Sequence, residues 1–354
     1  MAWIDDLVYR LWLLRTIMDS KALDANEFVL CVLLIFWSDF DLTQDIDYIE
    51  YFAGTGNLSK CMKAAKYKTT RLDLKYHDVP KNSKRSNYMD LNSGSGFALA
   101  MLLMMKGKLG SFACHFGIKC SSFCKVNIGT SMRSACSAIG CTLHKSVRVS
   151  NKLLERTCCL ILLCTALGGC WSLEQPSGSL LEYYPTWRFI LAMIFSIGGP
   201  QSVTVVKWWM RHYDSATAKR HYAFSNSPRV LRLNRGRLHN PPSKRQAIKT
   251  CEKYKDKTGK TRFKGTKHLR ATEVYPMPFA RAVVDLIEEM KASSRGQPEL
   301  GDAVPPATTT LAMEWKSDHE LWEFVEFDQV FTYLRGSKRL NIPPEFRPLI
   351  PKKI

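Results

Sequence analysis

The sequence of 354 residues predicts an α/β fold, with a mostly parallel sheet, helices on both faces, and basic and helical C-terminal extensions. Strand-like and helix-like segments alternate from Asp47 to residue 225, an order typical of parallel sheets joined by right-handed crossovers. Polar residues follow several strand-like segments, at the edge where ligands of such sheets bind. The hydrophobic content of 45% is sufficient for a packed core.

The individual elements are predicted from hydrophobic periodicity. The strand-like segments are Asp47–Phe52, Thr69–Leu74, Asn87–Asp90, Ser111–Ile118, Cys170–Leu173, Ser202–Trp209 and Arg220–Phe224. The helix-like segments are Asn57–Lys66, Phe97–Lys106, Val149–Leu167, Pro185–Ile197 and Tyr275–Lys291. Phe28–Trp37 is the most apolar run, but it is too short to span a bilayer, so a buried strand or helix is expected there.

Changes in composition divide the chain into five parts. They are an N-terminal helical or mixed cap (1–45), an α/β domain (46–228), a basic segment with a helix (229–292), a flexible linker (293–310), and a C-terminal amphipathic helix with a Pro-rich tail (311–354). The linker is rich in Ser, Gly, Pro and Thr. A capping-box pattern at 317–320 opens the last helix, whose apolar stripe through residue 334 could dock a protein partner.

Positive charge is concentrated in one segment of the chain. The formal net charge is +19, and residues 229–270 contribute fifteen Lys and Arg against two acidic residues. Such a segment favours a polyanion, most simply nucleic acid, because counterion release makes the contact favourable without base reading. A solvated loop and a contact with an anionic membrane are the alternatives.

The twelve cysteines are expected to be reduced. Many lie in apolar runs, where Cys behaves as a small buried hydrophobe, and the N-terminus carries Asp5 and Asp6 instead of the basic stretch of a secretory signal. An intracellular protein without a membrane-spanning segment is therefore expected. A zinc site is a weak alternative, because the spacings are not short Cys-x2-Cys knuckles. Its candidate ligands are Cys120, Cys124, Cys136, Cys141, His115 and His144.

The stretch Glu50-Tyr-Phe-Ala-Gly-Thr-Gly lies between a strand and a helix and predicts a ligand-binding turn. Ser59 stands where a dinucleotide fingerprint has its third glycine, and the Gly-Lys-Ser/Thr of a P-loop is absent from this stretch. The Glu50 carboxylate would repel a pyrophosphate. Asp73 ends the next strand-like segment, where it could hold ribose hydroxyls, and Asp90 could accept from an adenine amino group. An adenosine without phosphate fits these acids better than NAD does.

This turn resembles the Asp-Leu-Phe-Ala-Gly-x-Gly cofactor turn of the S-adenosylmethionine-dependent DNA cytosine-5 methyltransferases. The resemblance covers residues 46–225 and implies a Rossmann-like methyltransferase fold with S-adenosyl-L-methionine as cofactor. In that family the turn binds the methionine part, the second-strand acid the ribose and the third-strand acid the adenine. The implied cofactor-binding residues are Glu50, Phe52, Ala53, Gly54, Thr55, Gly56, Asn57, Asp73 and Asp90.

Two further motifs resemble catalytic elements of the same family. Cys120-Ser-Ser-Phe is similar to Pro-Cys-Gln-x-Phe-Ser, whose cysteine attacks C6 of the base, and Leu173-Glu174-Gln-Pro is similar to Glu-Asn-Val or Glu-Asn-Pro, whose glutamate contacts N3. Lys119 replaces the proline before the cysteine, and its charge could lower the thiol pKa. Arg133 is a candidate for a second basic contact in place of the family's Gln-x-Arg-x-Arg element, which has no clear counterpart.

The resemblance implies a methyltransferase acting on nucleic acid, with cytosine C5 of DNA as the target. A cysteine must add at C6 to make C5 nucleophilic, and the base must leave the duplex to be reached. The segment 229–270 follows the core where that family has its target-recognition part, which favours DNA over RNA and a nuclear location. The alternatives are a catalytically inactive nucleic-acid-binding protein of the same fold, and an RNA or protein methyltransferase.

Each site residue also has a purely structural interpretation. Cys120 could be one more structural thiol, since such cysteines outnumber nucleophiles. Glu174 could cap a turn before Gln-Pro. Asp73 and Asp90 could be helix N-caps or solvated strand ends.

Overall fold

The computed structural model describes residues 25–37, 42–77, 87–239, 248–259, 261–293 and 330–336. A six-stranded sheet forms the centre, with the strand order β2-β1-β3-β4-β6-β5. The strands are β1 (Tyr48–Tyr51), β2 (Thr69–Leu72), β3 (Ala113–Phe116), β4 (Cys170–Pro176), β5 (Thr204–Trp209) and β6 (Arg220–Ser225). Neighbours from β2 to β4 pair in parallel, and β6 is antiparallel to both β4 and β5. The predicted mostly parallel α/β sheet is confirmed.

Helices cover both faces of the sheet, as the sequence predicts. They are α1 (Ala25–Trp37), α2 (Asn57–Ala64), α3 (Gly94–Met105), α4 (Ile128–Ser131), α5 (Lys145–Ala166), α6 (Pro185–Gly198), α7 (Lys267–Ala271) and α8 (Met277–Ser293). Residues 330–336 are also helical. The segment Phe28–Trp37 therefore belongs to a helix. No helix in the described ranges is both long enough and apolar enough to cross a bilayer.

The alternation of side chains along β1 separates two hydrophobic cores. Ile49 and Tyr51 point into the larger core, which α1, α3, α5, α6 and the helix at 330–336 cover. Tyr48 lies in the smaller core on the opposite face, which is covered mainly by α2 and α8. Glu50 shares the face of Tyr48, so its carboxylate points toward α2. The order reverses between β1 and β3, and ligands of open α/β sheets bind beside such a reversal.

The strand expected at Asn87–Asp90 is wrong, because this segment forms a turn. The side chain of Asn87 accepts from the backbone N–H of Met89 at 2.8 Å, and that of Asp90 accepts from the N–H of Asn92 at 2.9 Å. These local bonds compete with a strand ladder for the same backbone groups. Ser93 then caps α3 by accepting from the N–H of Gly96 at 2.9 Å.

The basic segment contains a two-stranded antiparallel sheet of its own. β7 (Cys251–Lys255) and β8 (Thr261–Gly265) form a hairpin that sequence periodicity did not predict. The chain then returns to the main sheet through α7 and α8. Near the C-terminus, the larger core buries Val330, Phe331 and Leu334. These three side chains of the predicted docking stripe therefore pack against other parts of the same chain. The linker at 294–310, the rest of the stripe at 317–329, the tail at 337–354 and residues 1–24 lie outside the described residues.

Candidate functional site

The turn between β1 and α2 has an unusual backbone. Phe52, Gly54 and Gly56 all have positive φ values, of 60°, 57° and 68°. This conformation costs glycine little, whereas Phe52 adopts it under strain. The N–H of Gly56 closes the turn on the carbonyl of Ala53 at 2.7 Å. Ala53 is buried and Thr55 is exposed, so the turn is anchored at its start and open to solvent at its tip.

Glu50 is buried at the end of β1, with 1% of its surface exposed. Its Oε2 accepts from the backbone N–H of Ser59 at 2.8 Å and from the Ser59 hydroxyl at 2.5 Å, which fixes the carboxylate at the N-terminus of α2. Its Oε1 is buried and has no partner among the described residues. Burial raises the pKa of Glu50, and the bonds from Ser59 and the charge of Arg71 lower it in part. Oε1 of Glu50 is therefore a buried acceptor that the described residues leave unsatisfied.

Asp73 connects the end of β2 to the same turn. Its Oδ2 accepts from the N–H of Gly54 at 2.8 Å, and its Oδ1 caps a short 3-10 turn by accepting from Lys75 at 2.9 Å. Tyr76, in that 3-10 turn, donates its hydroxyl to the carbonyl of Gly54 at 3.1 Å. The structural interpretation of Asp73 as a cap is thus correct, but each carboxylate oxygen keeps a lone pair for a second donor.

Asn57 begins α2 at the end of the turn, whereas Asp90 lies in a separate turn before α3. Asp90 accepts from Asn92 in the turn before α3 and does not stand at the end of a strand. Asn57, the first residue of α2, donates from Nδ2 to the backbone carbonyl of Tyr275 at 2.8 Å. This hydrogen bond between Asn57 and Tyr275 brings the segment that follows the basic region against the β1–α2 turn.

Cys120 lies in the loop after β3 and is half-buried. Its backbone carbonyl accepts from the N–H groups of Phe123 and Cys124 at 2.9 and 3.0 Å, which closes a tight turn. A hydrogen bond from the thiol of Cys124 lowers the pKa of Cys120; burial acts in the opposite direction, and the charge of Lys219 lowers it further. The expected cation beside the thiol is therefore supplied by Lys219, which the sequence did not indicate, rather than by Lys119.

Glu174 lies inside β4, because the strand continues to Pro176. Its Oε1 accepts from Nδ1 of His221 on β6, and its Oε2 accepts from the hydroxyl of Tyr275 at 2.7 Å. Burial alone would raise the pKa of Glu174, but His221, Tyr275 and Lys219 together lower it to about 2. The charge of Glu174 in turn raises the pKa of Cys120. The next residue, Gln175, donates to the carbonyl of Ile118 at 2.8 Å, which joins β4 to the chain just before Cys120.

A buried chain of hydrogen bonds extends from Glu174 across the sheet. The Tyr275 hydroxyl contacts Nε2 of His115 at 3.1 Å, and Nδ1 of His115 contacts the Ser172 hydroxyl at 2.9 Å. Because Tyr275 donates its proton to Glu174, His115 donates from Nε2 and accepts at Nδ1 from Ser172. Burial lowers the pKa of His115 to about 4, so the imidazole is neutral at pH 7.

The sheet register joins this chain to the β1–α2 turn. His115 on β3 pairs with Glu50 on β1 and with Ser172 on β4, so the three residues form one row on the face toward α8. Tyr275 lies against this row and also contacts the turn through Asn57. Sequence reasoning considered His115 only as a zinc ligand and missed His221 and Tyr275. A polar residue inside each of two otherwise apolar strands, His115 and Ser172, was a usable signal for this row.

Arg133 has a structural role that differs from the expected substrate contact. Its guanidinium is buried and donates to the carbonyls of Ser122, Ala138 and Ile139 and to the side chains of Ser122 and Asn151. These bonds use all five guanidinium donors. Arg133 also lies over the ring of Phe123, with 4.0 Å to the centroid. The expectation is corrected, because Arg133 fixes the Cys120 loop to α5 and offers no donor to a ligand.

The basic hairpin begins next to the Cys120 loop. Cys251, its first residue, is near enough to Cys124 to raise the pKa of that thiol, together with the stronger effects of Cys120 and burial. Farther along, Tyr254 and Phe263 are 49% and 45% exposed, and the Lys253 ammonium lies 5.7 Å from the Phe263 ring centroid. The hairpin therefore combines positive charge with exposed aromatic rings.

Among the described residues, no three His, Cys, Asp or Glu side chains come together as a metal site. The neighbouring thiols of Cys120 and Cys124 are a pair without a third ligand of this kind. In comparisons with known proteins, no family model, no curated protein and no solved structure matches the chain.

Proposed function

We propose that this chain is an S-adenosylmethionine-dependent methyltransferase with a Rossmann-like fold, and that it acts on nucleic acid at C5 of cytosine in DNA. The observation that carries the proposal is the attachment of the Cys120 loop to the strand that holds Glu174: Gln175 on β4 donates to the carbonyl of Ile118 at 2.8 Å, and the charge of Glu174 acts on the Cys120 thiol. The β1–α2 turn follows β1, which pairs with β3 in the same sheet. A DNA target would also imply access to the nucleus.

The residues of the β1–α2 turn fit an adenosine-type cofactor. Oε1 of Glu50 is a buried acceptor without a partner among the described residues, which suits the amino group of a methionine part. A Cβ atom at Gly54 would have no described atom within 4 Å, so a ligand can approach this backbone closely. Asp73 can accept from ribose hydroxyls, and Asp90 is the candidate for the adenine. The bound cofactor would supply an activated methyl group.

The thiol and the acid can divide the chemistry of the base between them. Cys120, with its lowered pKa, supplies a thiolate that can add to C6 of an extruded cytosine. Glu174 is kept ionised, so it favours a proton on N3, which withdraws electrons from C6. Tyr275 must release Oε2 of Glu174 for this contact to form.

Covalent trapping tests the proposal directly. Duplex DNA containing 5-fluorocytosine, incubated with the protein and S-adenosylmethionine, should give an adduct that survives denaturing electrophoresis. Cys120→Ala should give none, whereas Cys136→Ala, which removes an exposed thiol outside the site, should react as the wild type does. If the wild-type protein binds cofactor without forming an adduct, the cytosine proposal fails.

Cofactor binding is tested separately by calorimetry. Glu50→Ala combined with Asp73→Ala should weaken binding of S-adenosylmethionine by at least tenfold, since both acceptors are lost. Glu50→Gln keeps an acceptor for Ser59 and controls for the stability of the turn. Wild-type affinity in a folded double variant would show that the pocket is assigned to the wrong residues.

One observation favours a second function, a nucleic-acid-binding protein of the same fold without turnover. Both oxygens of Glu174 are already bonded, to His221 and Tyr275. A permanently closed acid would leave the basic hairpin as the functional surface. Salt-dependent DNA binding in fluorescence anisotropy, without any adduct in the trapping assay, would support this function over the first.

A further inference from the structure

The loop after β3 places two cysteines at the two ends of one backbone turn. Cys120 and Cys124 are four residues apart, and the N–H of Cys124 donates to the carbonyl of Cys120 at 3.0 Å. A single turn of this kind advances about 6 Å, which lies within the Cα separation of about 4.4–6.8 Å that a disulfide spans. Interaction between the two thiols lowers the pKa of Cys120 and raises that of Cys124. The backbone therefore already places the two Cα atoms within the separation that a disulfide spans.

A second thiol pair in the same protein provides an internal comparison. Cys114 also affects the titration of Cys164, but both are buried in the larger core, where Cys114 donates to Sδ of Met104 and Cys164 to the carbonyl of Cys170. Burial raises the pKa of Cys164 well above its usual value. Cys120 and Cys124 are both half-buried, and Lys219 is near enough to stabilise a thiolate on either of them. Reactivity follows thiolate character and access, so the two pairs should behave differently.

We propose that Cys120 and Cys124 are an oxidative modification site, which hydroperoxides convert into a reversible disulfide. The Cys120 thiolate attacks one peroxide oxygen, the O–O bond breaks, and the products are a sulfenic acid on Cys120 and water or an alcohol. The thiol of Cys124 loses its proton and its sulfur displaces water from the sulfenic sulfur, which forms the S–S bond. Two thiols are oxidised by two electrons in total, and one hydroperoxide is reduced.

The inference does not rest on the proposed function, since it concerns the thiols alone. If Cys120 is a nucleophile, the disulfide removes it from reaction until a dithiol reductant restores it. Cys251 lies near Cys124 and is the competing partner for an S–S bond. A Cys124–Cys251 bond would tie the basic hairpin to the loop and leave Cys120 as a free thiol, so the two outcomes differ chemically.

Peptide mapping tests the proposal on the wild-type protein. The folded protein is treated with hydrogen peroxide, alkylated with N-ethylmaleimide without reduction, and digested with trypsin. Cleavage after Lys119 and Lys125 releases Cys-Ser-Ser-Phe-Cys-Lys, which contains both cysteines and no other. We expect this peptide to be about 2 Da lighter than the dithiol and to carry no maleimide, as expected for one disulfide. Dithiothreitol before alkylation should restore two maleimides.

Two variants sharpen the result. Cys124→Ser should leave a sulfenic acid on Cys120 that dimedone traps, and Cys136→Ser should oxidise as the wild type does. The peptides that contain Cys114 and Cys164 should stay fully alkylated once the protein is denatured in maleimide. The proposal is overturned if the Cys120–Cys124 peptide keeps two maleimides at peroxide doses that oxidise Cys136, or if Cys124 is recovered linked to Cys251.

Discussion

His115 and Glu174 lie in one buried hydrogen-bonded chain, and both favour the deprotonated form, which is neutral for His115 and charged for Glu174. His115 is neutral because burial disfavours its charge, and the pKa falls from the ordinary 6.5 to about 4. Glu174 is ionised because His221, Tyr275 and Lys219 outweigh the effect of burial, and its pKa falls from 4.5 to about 2. Both groups therefore take up protons more readily in the unfolded chain than in the folded one.

The two lowered pKa values predict two successive pH windows in which stability is lost. The contribution of neutral His115 is fully present above pH 6.5 and is lost as the pH falls to about 4. The contribution of Glu174 is fully present above pH 4.5 and is lost as the pH falls to about 2. Each is worth up to about 3 kcal/mol of unfolding free energy by proton linkage. Urea titrations at a series of pH values measure both.

Substitution assigns each window to its residue. His115→Gln should remove the slope of stability between pH 6.5 and 4, and Glu174→Gln should remove the slope between pH 4.5 and 2. Lys125→Gln, a change in an exposed side chain of the Cys120 loop, should leave both slopes unchanged. A wild-type slope in His115→Gln would mean that another group titrates there.

At the scale of single residues, sequence motifs point to the candidate acids Glu50 and Glu174 and the thiol of Cys120, but not to the residues that shift their pKa values. Glu50, Cys120 and Glu174 stand in short recognisable strings, so a motif finds them. Tyr275 reaches Glu174 across 101 residues of chain, and no local pattern records that contact. The same holds for Arg133, whose buried role depends on carbonyls that only the folded loop brings together.

At the scale of the element, the β1–α2 turn explains why two glycines stand two residues apart. A Cβ at Gly54 would meet no described atom within 4 Å, whereas a Cβ at Gly56 would collide with Nη1 of Arg71 and lie 3.1 Å from the Tyr76 hydroxyl. Arg71 also lies over the Tyr76 ring, with 4.8 Å to its centroid. Gly56 therefore has a packing constraint in addition to its positive φ.

The two positions should respond differently to alanine. Gly54→Ala should lower the unfolding free energy by about 1 kcal/mol, because alanine is strained in the left-handed conformation. Gly56→Ala must also displace Arg71, so it should lower the unfolding free energy by about 2 kcal/mol. Chemical denaturation of both variants measures the difference. Equal losses would show that Arg71 moves aside freely. For ligand binding the expected order is reversed, since Gly54 is the open position.

Elements with strong periodicity could be predicted well, and those set by side-chain hydrogen bonds could not. The segment from Pro185 forms α6 as expected, because a proline at the first turn and an apolar stripe agree. Asn87–Asp90 has strand-like residues, but the side chains of Asn87 and Asp90 take the backbone N–H groups that follow them. The hairpin of β7 and β8 was missed because its residues are mostly exposed, so no apolar alternation reveals it.

At the scale of the whole molecule, the chain leaves the sheet for the basic segment and then returns to complete it. α8 brings Phe279, Val283 and Ile287 into the smaller core, against Leu58 and Met62 of α2. Phe279 stacks on Trp208, with ring centroids 5.7 Å apart, and Trp208 in turn lies against His221. The second face of the sheet is thus covered by residues from both sides of the basic segment.

Phe279→Ala should therefore destabilise the entire fold. The ring is fully buried, and its removal should cost about 3–5 kcal/mol in unfolding free energy, including the cavity that is left. Val205→Ala, at a side chain that is 45% exposed on β5, should change the value by less than about 0.5 kcal/mol. Urea denaturation followed by tryptophan fluorescence compares them. A small loss for Phe279→Ala would mean that α8 is dispensable.

The return of α8 also determines when, during synthesis, the site can be assembled. Tyr275 contacts Glu174, His115 and Asn57 across separations of 101, 160 and 218 residues. At about 5–20 residues per second, a ribosome needs several seconds to add Tyr275 after Glu174. Throughout that interval the nascent chain has its central strands but lacks the helix that covers one face. A chaperone that shields apolar surface would act on this species, and translation that pauses within the basic segment would prolong its exposure.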